Sequence, residues 1–359
     1  SLMEQFKSFI TEAKEEPYEL VVFNNSGDNI RDVGNSGLAK LIKLLDKSAE
    51  NVGVKIHHVD FVGCYVTKKG GKTFLNSWSF NEDAEVNKPD EKADSAEYQK
   101  PIEINPERTI IMPRGLGTIG FTSSRAWVDM IRLFEEDGFK TVPSVDCWDV
   151  CSSKFYCDGL FRNAGLRTPK TVPVAYSDDA ERAIKELGTK FPVIMKSSSG
   201  TQTGVGVVIV ESMRSLHAIV QMTSLLMKNI DLVVQEYIET KYDVRVIVHN
   251  RKVIGSMKRE VITGDVRSNV SLGAEASGFE LTEIEEKDCL TAAGVVNGEL
   301  VGVDFIPAKN REKEQPYMLE VNSMPGFGGI EEIEKGLTDN ILSHYLNRDN
   351  WTLDKSTET

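Results

Sequence analysis

A glycine-rich loop between two short apolar segments restricts the fold of this chain more than any other feature. The stretch reads FPVIMKSSSGTQTGVGVVIV over residues 191–210, which predicts a strand, a loop and a second strand. Lys196 ends the first apolar segment. Such a loop exposes backbone N–H groups, which together with an ammonium group make a cradle for phosphate. A mobile hairpin with an incidental lysine is the competing interpretation, and the loop by itself does not decide between the two.

Two common phosphate-binding glycine motifs are excluded for this loop. No Gly-Lys-Ser/Thr closes it, so it is not a P-loop. A strand follows the glycines where a dinucleotide-binding turn would continue into a helix.

Oxygen-bearing side chains interrupt two apolar strands near the end of the chain. Asp304 lies within LVGVDFIP, where an unpaired carboxylate would cost several kcal/mol, so it needs a cation. Glu320 and Asn322 lie two residues apart in YMLEVN and therefore share a strand face. Two carboxylates and an amide oxygen suit magnesium. A simple salt bridge to Asp304 is the alternative, but three oxygen donors together favour the metal.

A third group supplies basic and amide donors between these two. They suit phosphate oxygens and the charge that develops during phosphoryl transfer. A solvated hairpin with ordinary salt bridges is the alternative. The group comprises Lys258, Arg259, Arg267 and Asn269, with Asp243 and Arg245 upstream.

The charge balance excludes several classes of partner. The 359 residues carry a formal net charge of −13, which repels polyanions, so neither general nucleic-acid binding nor anionic-membrane binding is expected. A local basic cleft can coexist with this charge. No apolar run approaches the roughly 18 residues of a membrane span, and no export signal is recognisable. We therefore expect a cytoplasmic protein.

The cysteine content favours buried or half-buried thiols over disulfides or a metal site. The count is odd, and the three clustered cysteines have no fourth Cys or His near them at a zinc-binding spacing. The five are Cys64, Cys147, Cys151, Cys157 and Cys289.

Strand and helix patterns alternate through the first part of the chain, which predicts a parallel α/β domain over residues 3–146. Farther along, three consecutive strands are predicted to pair in one antiparallel sheet: DLVVQEYI, DVRVIVHN and KVIGSMKRE. A helix is expected over residues 282–300. The charged segment 81–100 lacks apolar periodicity and is predicted as a solvated loop.

The order of these motifs resembles the ATP-grasp ligases. The similarity is strongest to the RimK branch, the α-L-glutamate ligases that add glutamate to a ribosomal-protein C-terminus. It covers about residues 145–340 and rests on many short motifs in the same order. They are Lys154, FPVIMK, GTQTGVGV, LVVQEYI, DVRVIV, GDVRSN, GVDF and LEVNSMPGFGGIE.

The resemblance implies an α/β (α+β) architecture, with the N-terminal α/β domain followed by a two-lobed ATP-grasp domain. Residues 147–234 would form the central lobe with the glycine-rich lid, and residues 235–350 the C-terminal lobe with the metal site. The residues it assigns to ATP are Lys154, Lys196, Gly200, Thr201, Gln202, Gly204, Gly206, Gln235, Glu236, Tyr237, Ile238, Asp243, Arg267, Ser268 and Asn269. Among them, Lys154 and Lys196 would hold the phosphates. Gln235, Glu236 and Ile238 would line the adenine edge, and Asp243 would accept from the ribose hydroxyls.

The same resemblance implies the chemistry. A substrate carboxylate attacks the terminal phosphoryl group of ATP, and an amine displaces phosphate from the acylphosphate. The residues assigned to catalysis are Lys196, Arg259, Arg267 and Asn269, and those assigned to two Mg²⁺ ions, or Mn²⁺ in their place, are Asp304, Glu320 and Asn322. The implied partners are an amino acid and a peptide or protein acceptor, and a homo-oligomer is compatible with the family.

One departure from the RimK pattern concerns substrate recognition. After RSN the chain has Leu272 for an expected arginine, Ala274 for a glycine, and Glu275 as an added acid. A lost cation and a gained carboxylate weaken binding of an acidic substrate. Glutamate as the donated residue is therefore a family expectation. A small-peptide or peptide-cyclising ligase and a non-catalytic ATP-binding module are the alternatives.

Overall fold

The computed structural model describes residues 17–24, 37–61, 64–80, 96–98, 100–114, 124–197, 207–226, 231–260 and 276–353. The chain groups into two compact units, residues 1–145 with 326–359 and residues 146–325. The division at 3–146, 147–234 and 235–350 stays a prediction. Residues 271–275, including Leu272, Ala274 and Glu275, and most of segment 81–100 lie outside the described residues.

The secondary structure of the described residues is mixed. The strands are β1 (Glu19–Asn24), β2 (Lys55–Asp60), β3 (Tyr65–Lys69), β4 (Lys72–Asn76), β5 (Trp78–Phe80), β6 (Ala96–Tyr98), β7 (Ile102–Ile104), β8 (Thr109–Pro113), β9 (Lys140–Thr141), β10 (Thr171–Val174), β11 (Val193–Ser197), β12 (Val208–Val210), β13 (Leu232–Glu236), β14 (Tyr242–His249), β15 (Lys252–Glu260), β16 (Ala276–Gly278), β17 (Leu300–Ile306) and β18 (Tyr317–Asn322). The α-helices are α1 (Gly37–Val52), α2 (Ser124–Glu136), α3 (Val145–Ser152), α4 (Lys154–Asn163), α5 (Ala180–Leu187), α6 (Met213–Leu226), α7 (Glu283–Val295), α8 (Gly328–Ile333) and α9 (Leu337–His344). None of these helices is both long and apolar enough to cross a bilayer.

A four-stranded parallel sheet forms the core of the first unit, in the order β2-β1-β8-β9. All five residues of β8 are buried, as expected where both faces of a parallel sheet are covered. The predicted parallel α/β architecture is confirmed.

The end of the chain belongs to this first unit. The Tyr18 hydroxyl donates to the carbonyl of Leu342 at 2.9 Å. The Ser48 hydroxyl on α1 donates to Asp339 on α9 at 2.5 Å. These contacts explain why residues 326–353 group with the beginning of the chain.

Two small antiparallel sheets in the first unit have no counterpart in the sequence predictions. One has the order β3-β4-β7 and the other pairs β5 with β6. In β3, four of the five side chains are exposed. Strands with so little buried surface carry a weak apolar pattern, and for that reason the sequence does not reveal them.

In the second unit, an antiparallel sheet in the order β10-β13-β11-β12 packs one face against helices α5 and α6. The prediction that DLVVQEYI pairs with the next two strands is wrong. β13 lies between β10 and β11, while β14 and β15 form their own hairpin in the other sheet. An apolar run such as LVV indicates a strand but does not identify the strand it pairs with.

The second sheet of this unit has the order β16-β15-β14-β17-β18 and is antiparallel throughout. Its core packs against Cys289 and Ala292 of α7. This helix begins at a capping box formed by Thr282 and Glu285. It ends at Val295, earlier than predicted, because Asn297 adopts a left-handed conformation at φ 53° before β17 begins.

Candidate active site

Lys196 lies on the sheet face opposite the hydrophobic core. The alternation along β11 turns Val193 and Met195 into the core and leaves Lys196 on the other face. Its Nζ donates to Gln235 Oε1 at 3.2 Å. Burial, and then the nearby Lys154 ammonium, lower the pKa of Lys196 to about 8, although the Glu320 carboxylate opposes this shift. Lys196 therefore keeps its proton at neutral pH in a site that disfavours the charge.

Lys154 and Glu320 bring a second ammonium and a carboxylate to the same region. Lys154 is the first residue of α4, directly after the helix-capping Ser153. Its Nζ lies 3.3 Å from Glu320 Oε2 on β18. The structure thus gathers both lysines that were predicted to hold phosphate around one predicted metal ligand.

We expect Lys196→Met to stabilise the nucleotide-free protein. A pKa lowered from 10.5 to about 8 means that the folded state disfavours the ammonium, and each unit corresponds to about 1.4 kcal/mol. The unfolded chain binds the proton more strongly between those pH values, so wild-type stability rises with pH there. The variant should gain about 3 kcal/mol in free energy of unfolding at pH 7, measured by urea denaturation.

That gain should shrink above pH 8 and vanish near pH 10.5. Lys190→Met is the matched control, because Lys190 is exposed, and it should show no comparable gain. A Lys196→Met variant that is less stable than wild type at pH 7 would contradict the electrostatic interpretation.

Asp304 is held by two arginines. Its carboxylate is 3% exposed. It accepts from Arg245 Nε at 2.7 Å and Nη2 at 2.6 Å, and Arg259 Nη2 lies 3.0 Å from Oδ2. Burial alone would raise the pKa of Asp304, but the Arg245 and Arg259 guanidiniums outweigh it and lower the pKa. The sequence required a cation here, and the structure supplies two.

Arg259 also binds Asp243. Its Nε and Nη2 each donate to one Asp243 oxygen at 2.8 Å, and both residues are buried. Arg245, Arg259, Asp243 and Asp304 therefore form a network with two positive and two negative charges. Asp243 is predicted to contact ribose, and it would do so with carboxylate oxygens that also accept from Arg259.

The three predicted metal ligands fit a hard cation. Pairing of β17 with β18 places Asp304 opposite Glu320 and Gly302 opposite Asn322. A carboxylate has about four lone-pair positions. Among the described residues, the arginines use three of those on Asp304, which leaves one on Oδ1. Glu320 is 36% exposed, and Asn322 Oδ1 accepts from the Met324 N–H at 3.0 Å. Oxygen donors of this kind are those that Mg²⁺ prefers.

This mixed set is the metal candidate in the described residues. No group of three or more His, Cys, Asp or Glu side chains suited to a metal occurs within them. The expectation of buried or half-buried thiols is confirmed, since the five cysteines form no disulfide with one another, Cys151 is partly buried and the others are buried.

The predicted adenine segment lies at the end of β13. The backbone of Glu236 donates to the Lys170 carbonyl at 2.8 Å, and its carboxylate accepts from the Lys170 N–H at 3.1 Å. Tyr237 and Ile238 follow and are half-buried. The Gln235 side chain is directed to Lys196, although the resemblance assigned it to the adenine edge.

Lys258 lies apart from the arginine network. Its Nζ lies 4.5 Å from the centre of the Tyr242 ring and 3.7 Å from a Glu260 carboxylate oxygen.

Several predicted site residues lie outside the described part of the chain. They are Gly200, Thr201, Gln202, Gly204, Gly206, Arg267, Ser268 and Asn269.

Sequence reasoning gave no individual role to two residues that contact the site. Arg245 lies directly opposite Asp304 in the β14–β17 register. The sequence indicated only that Arg245 shares a strand face with Asp243, two residues before it. Thr171 contacts Gln235, and nothing in the sequence around it indicates this.

Comparison with known proteins agrees with these motifs. The RimK-like ATP-grasp domain family matches residues 151–345. A probable alpha-L-glutamate ligase from Marinomonas sp. (strain MWYL1) is 29% identical over 303 residues, which are 84% of this chain and 89% of that protein.

Solved structures share the fold at low sequence identity. The macrocyclase MdnC, bound with precursor peptide MdnA from Microcystis aeruginosa MRC, has a TM-score of 0.63 at 14% identity and covers 92% of this chain and 99% of its own. The ATP-grasp ligase PsnB, complexed with a minimal precursor, Mg and ADP, has a TM-score of 0.57 at 17% identity and covers 90% and 96%.

Proposed function

The chain belongs to the RimK-like ATP-grasp family of ligases, and from that premise we propose that it joins an amino acid to a peptide or protein acceptor. The reaction would consume ATP and produce ADP and phosphate. The observation that carries this proposal is the convergence of Lys154 and Lys196 around Glu320. Two ammonium groups beside a metal-binding carboxylate suit the phosphates of a magnesium nucleotide.

The first chemical step would be attack of a substrate carboxylate on the terminal phosphoryl group. Bound Mg²⁺ would neutralise charge on the phosphate oxygens, and Asp304, Glu320 and Asn322 would hold it. Lys154 and Lys196 would orient the phosphates and offset charge on them. The acylphosphate that forms is then open to attack by an amine.

The arginine network would keep the metal side of the site rigid during the reaction. Arg245 and Arg259 fix both oxygens of Asp304, so this ligand is held against rotation. Preorganised charge of this kind requires little rearrangement as the transition state forms. The Arg259 guanidinium would also stabilise negative charge on the developing tetrahedral centre. We also propose that the site binds two Mg²⁺ ions and that the protein is cytoplasmic.

Glutamate is the first candidate for the donated amino acid, because a relative named as a probable alpha-L-glutamate ligase aligns over 84% of this chain. The Leu272, Ala274 and Glu275 departure argues for testing other amino acids as well. A peptide-cyclising reaction is the second candidate function, since a macrocyclase bound to its precursor peptide shares the fold. A non-catalytic module is disfavoured by the metal-ligand set.

Mass spectrometry with coupled ADP detection tests these possibilities together. The protein is incubated with ATP, Mg²⁺, pooled amino acids and pooled acceptor peptides. Ligation adds the mass of one amino-acid residue to a peptide, whereas cyclisation removes one water. We expect ADP formation that depends on both pools. Tight nucleotide binding without substrate-stimulated ADP formation across broad pools would favour the non-catalytic module.

A further inference from the structure

A threonine on β10 controls the side chain that contacts Lys196. The Thr171 hydroxyl donates to the Pro169 carbonyl at 3.1 Å. The same oxygen accepts from Gln235 Nε2 at 2.8 Å. At its other end the Gln235 amide accepts from Lys196 Nζ at 3.2 Å. The three side chains therefore form one continuous hydrogen-bonded row across three strands.

Strand register explains why the row forms. Thr171 is paired with Gln235 between β10 and β13, and Gln235 is paired with Ile194 between β13 and β11. Ile194 and Lys196 share a face because they are two residues apart. The Val234 and Met195 side chains lie on the opposite face, in the core with α5 and α6. The row thus lines the face that carries the candidate nucleotide site.

The hydroxyl of Thr171 decides which way the amide of Gln235 points. A hydroxyl has one proton to donate, and Thr171 uses it on the Pro169 carbonyl. Towards Gln235 it can only accept, so the amide NH₂ must face Thr171. The amide oxygen is then left facing Lys196. An amide turned the other way would set its NH₂ against the ammonium and lose both hydrogen bonds.

We propose that Thr171 is a positioning residue for nucleotide binding, because it keeps the Gln235 amide oxygen on Lys196 and so holds the ammonium in place. The inference rests on the proposed function in one respect, the role of Lys196 in holding nucleotide phosphate. Lys154 and Asp158 from α4 and Glu320 from β18 are the other charged groups that act on Lys196. Gln235 is a neutral acceptor for Lys196, and its contact with Thr171 sets the orientation of its amide.

Calorimetric titration with ADP and excess Mg²⁺ tests the role of the hydroxyl. Thr171→Val removes the hydroxyl at nearly constant shape and should weaken ADP binding about tenfold, the effect of losing one hydrogen bond to a charged group. Thr171→Ser keeps the hydroxyl and should bind within about twofold of wild type, because one methyl group contributes little here.

A double-mutant cycle separates positioning from general destabilisation. Gln235→Glu gives Lys196 an oxygen acceptor whichever way the side chain is turned. Adding Thr171→Val to that variant should then weaken ADP binding less than about twofold. A loss that came from damaged packing of β10 would persist in this background.

Three results would overturn the inference. They are wild-type affinity in Thr171→Val, equal losses in the Ser and Val variants, and an undiminished Thr171→Val effect beside Gln235→Glu. Absence of ADP binding to the wild-type protein would instead contradict the proposed function.

Discussion

Glu320→Gln should lower turnover at least about a hundredfold and leave the fold intact, the scale of loss seen when one preorganised electrostatic group is removed from an active site. The substitution keeps the shape of the side chain but removes the charge that attracts a metal. Glu320 is 36% exposed, and its Oε2 forms an ion pair with Lys154 Nζ at 3.3 Å. A pair this accessible contributes roughly 0–1 kcal/mol to stability. ADP formation and thermal melting of the same samples measure both effects.

Glu312→Gln is the matched control for that experiment. Glu312 is an exposed residue of the same unit, so its substitution should change neither turnover nor melting. Excess Mg²⁺ should partly restore Glu320→Gln if the defect is metal affinity. Wild-type turnover in Glu320→Gln at limiting Mg²⁺ would remove this residue from the metal site.

Asp304→Asn, unlike Glu320→Gln, should destabilise the fold. Removing the carboxylate takes away the anion that the Arg245 and Arg259 guanidiniums share, while Asp243 still pairs with Arg259. Breaking a buried ion pair by removing one partner typically costs about 3–5 kcal/mol. We expect the melting temperature to fall by roughly 10 °C. The asparagine amide would also place its NH₂ against a guanidinium.

Acid dependence gives a second measurement on the same variant. The arginines hold the pKa of Asp304 below its usual value. A lowered folded-state pKa adds stability above the unfolded pKa of about 3.9, and this contribution is lost as pH falls further. The stability difference between wild type and Asp304→Asn should therefore narrow below about pH 4. Asp178→Asn, at an exposed position, should melt like wild type at every pH, and an equally stable Asp304→Asn protein would refute the network.

Local chemistry made part of this site predictable. Lys196 lies near the end of a strand whose alternate residues, Val193 and Met195, are apolar, so its face could be inferred from spacing alone. The need of Asp304 for a cation followed from its apolar surroundings. Glu320 and Asn322 share a face for the same periodic reason.

Long-range pairing was not predictable in the same way. Arg245 and Asp304 are 59 positions apart and meet only because β14 pairs with β17 in one register. The apolar run of β13 marks it as a strand but is equally compatible with either sheet, which is why its partners were predicted wrongly. The Thr171–Gln235 contact depends on that same pairing. Sequence periodicity specifies faces, and strand order has to come from the packed structure.

The contacts of Tyr18 and Ser48 with α9 have a consequence for biosynthesis. The first unit takes elements from both sides of residues 146–325, so during translation residues 17–24 reach their final packing only after α9 has left the ribosome. Residues 146–325 are contiguous and have their own packed sheets. Since domains generally fold as units during synthesis, the unit of residues 146–325 should fold before the first unit, although β1 is made earlier.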